Sequence, residues 1–173
     1  MTSSANLLCS LTNTQISSIS STIFTSSIST LSNINLVCPN MANWYSLAKS
    51  NPNYGTTLYT SISSLSELGS VISGISTTDI QLVSADSMSS ITTTALQYMP
   101  SSTVNSLSAT QISGLSNDQI ASLMNSPNYA FFSTSITNTL LVASGQTITS
   151  SGSRLLIKKI IFLKLLFGIY FLY

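Results

Sequence analysis

The chain has 173 residues, which suits one domain or a fragment of a longer protein, and its composition is unusual. Apolar residues make up 43% and charged residues only 5%, against the usual quarter, whereas Ser and Thr form about a third. Before Ser153 there are four acidic residues and a single basic one, Lys49, so this part carries a net charge of −3. Such a body has no basic surface for nucleic acid, and we predict no nucleic-acid partner.

The residue types needed for common enzyme sites are also scarce. The chain has no His, the commonest general base and zinc ligand, and two Cys without His cannot build a standard zinc site. The seven Gly are dispersed, so no phosphate-binding loop occurs. A Ser nucleophile would lack an activating base. We therefore predict a non-enzymatic protein with no cofactor and no metal.

From Ile75 to Leu123 the apolar residues follow an eight-residue repeat, in alternating steps of five and three. They are Ile75, Ile80, Val83, Met88, Ile91, Leu96, Met99, Val104, Leu107, Ile112, Leu115, Ile120 and Leu123. The opening segment keeps the same spacing with LTNTQISS and ISSTIFTS. On one long α-helix the apolar stripe would drift by about 80° per unit. On one strand the odd steps would alternate faces. Neither long regular element fits.

A chain of very short helices fits the repeat. A Ser or Thr after the first apolar residue would be the N-cap, and the two apolar residues would form a hydrophobic staple. The staples are Leu11/Ile16, Ile75/Ile80, Leu107/Ile112 and Leu115/Ile120. The third helical position holds Gln15, Asp79, Gln111 or Gln119, as in a capping box, and Asp86 and Asp118 fall at the second.

Units this short are unstable alone, so they must stack on their neighbours. We predict an all-α superhelical solenoid of capped eight-residue units, followed by a hydrophobic C-terminal helix or tail. Two alternatives remain from the residues alone. One is a small β-solenoid, favoured by β-branched runs such as ITTTAL. The other is a disordered Ser/Thr-rich stalk, favoured by composition.

An irregular break at about 39–60 separates the two regular blocks. It holds the only Trp, Trp44, and Tyr45, and is expected to form a loop around one helix, Met41 to Ala48. A second helix is expected to start at Ser66 as N-cap and to end near Gly74. Aromatic residues in such breaks more often fill the core between stacked layers than bind a partner, and surface contact is the second interpretation of Trp44 and Tyr45.

The segment LCSLTNTQISSISSTI, residues 8–23, resembles the mesothelin, stereocilin and otoancorin family. In that family Leu-Cys-x-Leu-Ser-Pro-Glu-Glu-Leu-x-x-Val runs in eight-residue units. The framework positions are Leu8, Cys9, Leu11, Thr12, Ile16 and Ile19. The pattern extends over about residues 7–142. The family's acidic pairs at the helix starts are mostly Thr, Asn or Gln here.

The resemblance implies an extracellular superhelical array that works in adhesion or attachment to extracellular gels and is not known as an enzyme. It also implies a disulfide between Cys9 and Cys38, which are 29 residues apart. An extracellular or cell-surface (glyco)protein would be the partner. Members commonly carry a glycosylphosphatidylinositol anchor, which would place this chain at the cell surface, bound to the membrane.

The two ends of the chain carry their own expectations. The N-terminus has neither the basic nor the apolar region of a signal peptide, so we expect a fragment, an incomplete gene model or another export route. The segment 150–173 reads as an anchor signal attached at Ser151 or Gly152, as a transmembrane helix over 155–173, or as non-coding sequence. Lys164 lies inside its apolar run.

The sequence thus divides into a helical repeat region, 1–149, and a hydrophobic basic tail, 150–173. The predicted function is non-enzymatic cell adhesion or cell–matrix contact of the mesothelin-like type. The alternative is a Ser/Thr-rich scaffold or stalk attached to a membrane by its C-terminal segment.

Overall fold

The computed structural model describes residues 9–20, 22–24, 38–51, 59 and 62–147. Over these residues the chain is helical and contains no β-strand. The all-α prediction is therefore confirmed, and the β-ladder alternative is not what this part of the chain forms. The expectations for the N-terminal end and for the tail, including Ser151, Gly152 and the helix over 155–173, lie outside the described residues.

The described residues contain ten α-helices with defined bounds, most of them one or two turns long, and further helical residues at 9–10 and 22–24. They are α1 (Asn13–Ser17), α2 (Met41–Ser50), α3 (Ile62–Leu68), α4 (Thr77–Ile80), α5 (Ala85–Met88), α6 (Thr93–Tyr98), α7 (Ser101–Val104), α8 (Ala109–Ser113), α9 (Asn117–Met124) and α10 (Thr134–Ala143). Two 3₁₀ turns, Gly69–Gly74 and Tyr129–Phe131, connect some of them.

Hydroxyl side chains start seven of these helices, as the repeat predicts. In each of the seven the N-cap oxygen accepts the backbone N–H of the third helical residue, which has no partner inside a regular α-helix. The N-caps that do so are Thr12, Ser76, Ser84, Thr92, Ser108, Ser116 and Ser133. Complete capping boxes join Thr12 to Gln15, Ser108 to Gln111, and Ser116 to Gln119. Helix α7 follows Pro100, which has no side-chain cap.

The alternating apolar residues form the core of the molecule. None of the thirteen residues of the Ile75–Leu123 series is more than 7% exposed. Burying two aliphatic side chains per unit contributes roughly 3–6 kcal/mol, which offsets only part of the conformational entropy that the unit loses on folding. Because one unit alone does not gain enough from burial, the units must stack. The predicted burial of the first and second apolar position of each unit is confirmed.

Two helix boundaries differ from the sequence expectation. Ser66 does not cap a helix but lies inside α3, which runs from Ile62 to Leu68. Gly69 follows with a φ of +49°, a left-handed conformation that ends the helix, and a 3₁₀ turn continues to Gly74. Helix α2 reaches Ser50, two residues beyond the expected end. The prediction that Ser66 is an N-cap was wrong. A Ser before an apolar run does not by itself decide where a helix begins.

Successive helices pack with a constant offset in the central part of the chain. Helix α4 contacts α7, α5 contacts α8, and α6 contacts α9, so each packs against the helix three places later. The approach of α8 to α5 is so close that a β-carbon at Gly114 would overlap the carbonyl oxygen of Ala85. Glycine is therefore required at position 114 for packing.

Within the described ranges, no helix combines the length and apolar character needed to cross a bilayer.

Candidate functional site

A disulfide joins Cys9, just before α1, to Cys38, just before α2. The two Cα atoms are 5.0 Å apart and the residues are 29 apart in sequence. This is the pairing that the family resemblance implies. In the chain-entropy model, closing a loop of this size stabilises the fold by about 3–4 kcal/mol. Two amide contacts lie beside the disulfide: Asn40 Nδ2 donates to the Leu11 carbonyl at 2.9 Å, and Asn43 Nδ2 to Asn13 Oδ1 at 2.6 Å.

Two buried glutamines do more than close capping boxes. Gln111 Nε2 donates to the carbonyl oxygens of Ile80, at 2.6 Å, and Val83, at 2.8 Å. Its side-chain oxygen meanwhile accepts the Ser108 amide at 3.0 Å. Each end of this side chain thus satisfies backbone groups of a different segment. Gln111 therefore helps to start its own helix and also binds the segment about 30 residues earlier through two hydrogen bonds.

Gln119 repeats this arrangement one unit later. Its Nε2 lies 3.0 Å from the Met88 carbonyl, 3.2 Å from that of Ser89 and 2.6 Å from that of Ile91. The side-chain oxygen accepts the Ser116 amide at 2.7 Å. The segment between α5 and α6 leaves carbonyls pointing inward, and a buried amide satisfies them.

Other polar bonds span nearly the same separation. Thr103 Oγ1 donates to the Ile75 carbonyl at 3.1 Å, 28 residues away, and Asn128 Nδ2 to the Met99 carbonyl at 3.1 Å, 29 away. Asn105 Oδ1 accepts the amide of Ser133, 28 residues later, at 2.7 Å. Most of the polar contacts between distant parts of the described chain therefore span 28 to 31 residues, and Cys9 and Cys38 are 29 apart.

The ion pair of Lys49 and Asp79 belongs to the same set, with a separation of 30 residues. Lys49 Nζ lies 2.8 Å and 3.0 Å from the two carboxylate oxygens. Burial alone would raise the pKa of Asp79, but hydrogen bonds from Lys49 and Ser76 and the Lys49 charge outweigh it and lower that pKa. The hydrogen bond to Asp79 likewise raises the pKa of Lys49. The sequence suggested a capping role for Asp79, whereas its carboxylate is directed at Lys49.

Trp44 and Tyr45 are not surface residues, and their prediction as surface contacts was wrong. Both are only 3% exposed. The Trp44 ring stacks on Phe24, with centroids 6.5 Å apart. Tyr45 donates its hydroxyl to Tyr59 at 3.4 Å, and burial, that bond and the Asp79 charge raise the pKa of Tyr45 far above its ordinary value. Both lie on the inner face of α2, where aromatic side chains fill the core.

Instead, other large apolar side chains are exposed. They are Ile23, Leu82, Tyr98, Phe131 and Val142, and Phe131 is the most exposed at 71%. Sequence reasoning missed these residues as surface candidates. The available signal was that Leu82, Tyr98 and Phe131 fall outside the alternating apolar series, so the repeat gives them no buried position. They are the described side chains best able to offer apolar contact to a partner.

The described part of the chain contains no cluster of three or more His, Cys, Asp and Glu side chains that could hold a metal ion. No protein-family model matches this chain, and the comparisons with curated proteins and with solved structures found no similar protein.

Proposed function

We propose that this chain is a non-enzymatic scaffold of the mesothelin-like type that acts outside the cell in adhesion or cell–matrix contact. In this proposal the short helices wind into a superhelix with three helices per turn, and the outer surface makes the contacts. The C-terminal segment would attach the scaffold to the membrane, and an extracellular or cell-surface (glyco)protein would be its partner.

The regular offset of the packing supports the superhelical part. Three consecutive helices, α4 to α6, each pack on the helix three places later. Polar bonds from Gln111 and Gln119 cross between the same segments 28 to 31 residues apart. Repeated contacts at one sequence separation are typical of solenoids, in which each turn touches only its neighbours.

The observation that carries the extracellular part is the disulfide between Cys9 and Cys38. Disulfides form and persist in oxidising compartments and are rare in the cytosol. The bond also lies at the position of the Leu-Cys-x-Leu segment that resembles the mesothelin family. The disulfide and the repeat therefore favour the same class of protein, and they disfavour a scaffold on the cytoplasmic face of a membrane.

A cell-surface experiment tests this function. The full chain would be expressed with an epitope tag inserted after Gly145, at the exposed end of α10. We expect antibody and protease to reach the tag on intact cells, and the cells to adhere to partner cells or matrix. Replacing Phe131 with Ser should weaken adhesion, whereas the matched variant Thr110→Ser, at another exposed position, should not. A tag reached only after permeabilisation, or adhesion equal to that of untransfected cells, would contradict the proposal.

A further inference from the structure

The N-terminal segment, residues 9–20 and 22–24, covers the only tryptophan of the chain. Phe24 is 1% exposed and its ring lies 24° from the plane of Trp44. Ile16, on α1, is 1% exposed in the same cluster of core residues. The environment of Trp44 therefore depends on whether this segment stays packed on α2.

Helix α1 differs from α8 and α9 in the bonds that its capping glutamine makes. It has five residues and, like the other short helices, is not stable alone. Its Gln15 is exposed, and its side-chain oxygen accepts from Thr12 in the same turn. The corresponding Gln111 and Gln119 are buried and bond carbonyls of a preceding segment. Two asparagine bonds and the packing of Ile16 and Phe24 hold the N-terminal segment on α2, and the disulfide adds a covalent link to them.

We propose that the Cys9–Cys38 disulfide is a redox latch, whose reduction releases the N-terminal segment from α2 and leaves the later helices folded. The reductant would be a dithiol. Its first thiolate attacks Sγ of Cys9, the S–S bond breaks, and Cys38 leaves as a thiolate that takes a proton from water. The second thiolate of the reductant then attacks the reductant's own sulfur in the mixed disulfide, and Cys9 leaves as a thiolate that also takes a proton from water. Two electrons pass to the protein, and the reductant becomes a cyclic disulfide.

The surroundings of the two sulfurs suit this direction of attack. Cys9 is half-buried, whereas Cys38 is 5% exposed, so a reductant reaches Cys9 first. Cys38 lies two residues before the N-cap Asn40 of the ten-residue helix α2. The positive end of a helix dipole favours a thiolate, so Cys38 is suited to be the leaving group.

The release should stay confined to the N-terminal segment because the hydrogen bonds that join the later segments do not involve it. The bonds of Gln111, Gln119, Thr103 and Asn128 all join residues beyond Ile75 to one another. None of these four involves the N-terminal segment. Reduction would therefore expose Trp44 and Phe24 without loosening α4 to α10. The latch goes beyond the proposed adhesion function and does not depend on it.

Because Trp44 is the only Trp, intrinsic fluorescence of the full chain reports on the latch. The oxidised protein would be treated with dithiothreitol under native conditions, and two free thiols would be counted. We expect the emission to shift to the red, acrylamide quenching to rise several-fold and amide exchange to accelerate over 9–24. Exchange over 101–147 should be unchanged, and reoxidation should restore the original spectrum.

The double variant Cys9→Ser/Cys38→Ser serves as the control, since it should have the reduced spectrum and ignore dithiothreitol. If this variant does not fold, reduction of the folded wild-type protein remains decisive. Unchanged quenching with two thiols counted would overturn the proposal, because the segment then stays packed without the bond. Loss of protection over 101–147 as well would also overturn it, because the disulfide would then hold the whole fold.

Discussion

The side-chain amide of Gln119 donates a hydrogen bond of 2.6 Å to the carbonyl oxygen of Ile91, 28 residues earlier in the chain. The opposite end of the same side chain accepts the amide of Ser116, at the start of its own helix. A residue that locally reads as part of a capping box therefore also joins two distant segments.

Replacing Gln119 with Met should destabilise the fold by about 2–4 kcal/mol, because it opens the capping box, leaves the buried Ile91 carbonyl without its Gln119 donor and removes further bonds to the Met88 and Ser89 carbonyls. Gln15→Met is the matched control. Gln15 closes the same capping box with Thr12 but is exposed, so its loss should amount to at most about 1 kcal/mol. Urea unfolding followed by circular dichroism measures both values. Equal losses would mean that the bonds to Met88 and Ile91 contribute nothing.

The close approach of α8 to α5 predicts that Gly114→Ala destabilises the protein by about 2–4 kcal/mol, as overpacking against backbone does. The φ of Gly114 is −80°, which alanine adopts freely, so the effect would come from overlap with the Ala85 carbonyl. Gly145→Ala separates the two causes. The φ of Gly145 is +78°, and a β-carbon built there would have no atom within 4 Å. Only backbone strain, of about 1 kcal/mol, is therefore expected in Gly145→Ala. Thermal melts that rank the two variants the other way round would contradict this packing.

The N-cap rule can be tested on two adjacent threonines. Thr92 accepts the amide of Ala95 at 3.2 Å, whereas Thr93 is exposed at the first helical position. We expect Thr92→Ala to lower the free energy of unfolding by about 1 kcal/mol, and Thr93→Ala to change it little or to raise it. The comparison holds composition constant, so urea midpoints of the two variants can be compared directly. A larger loss from Thr93→Ala would place the helix start elsewhere.

The ion pair of Lys49 and Asp79 gives the stability a pH dependence. The pKa of Asp79 is lowered, so its contribution is present above the unfolded value of about 3.9 and disappears as pH falls through the folded value. The pKa of Lys49 is raised, so its contribution is present below about 10.4 and disappears as pH rises through the folded value. We expect Lys49→Met to lose about 1–2 kcal/mol at pH 7, since Lys49 is half-exposed but Asp79 is buried.

Adding Asp79→Asn to Lys49→Met tests whether the two residues act as a pair. The double variant should be less destabilised than the sum of the two single variants, and its stability should vary less between pH 3 and pH 7. Additive losses in this cycle would show that the two charges do not interact.

The sequence predicted the local part of this structure. Caps such as Ser108 and Ser116, and staples such as Leu115/Ile120, involve residues at most five apart, so their spacing is visible in one chain. Burial of the apolar series follows from the same repeat. The rule failed at Ser66, where α3 and the left-handed Gly69 set the boundaries instead.

The long-range part could not be read from the residues alone. Lys49 and Asp79 are 30 residues apart, and Gln111 looks like any capping residue until Ile80 is placed beside it. Trp44 is an aromatic residue in an irregular break, where core packing is the more frequent role and binding a partner the other. Whether Trp44 is buried or exposed depends on the packing of Phe24 against it, and no local sequence pattern predicts that packing.

In the proposed superhelix, capped eight-residue units stack so that each turn holds the turn before it. Nuclear magnetic resonance of protein labelled with ¹⁵N at glutamine side chains tests this most directly. We expect the side-chain amides of Gln111 and Gln119 to exchange slowly and to show cross-relaxation with residues 80–91, whereas that of Gln15 should exchange fast. Fast exchange of all three, with cross-relaxation confined to each residue's own unit, would contradict it.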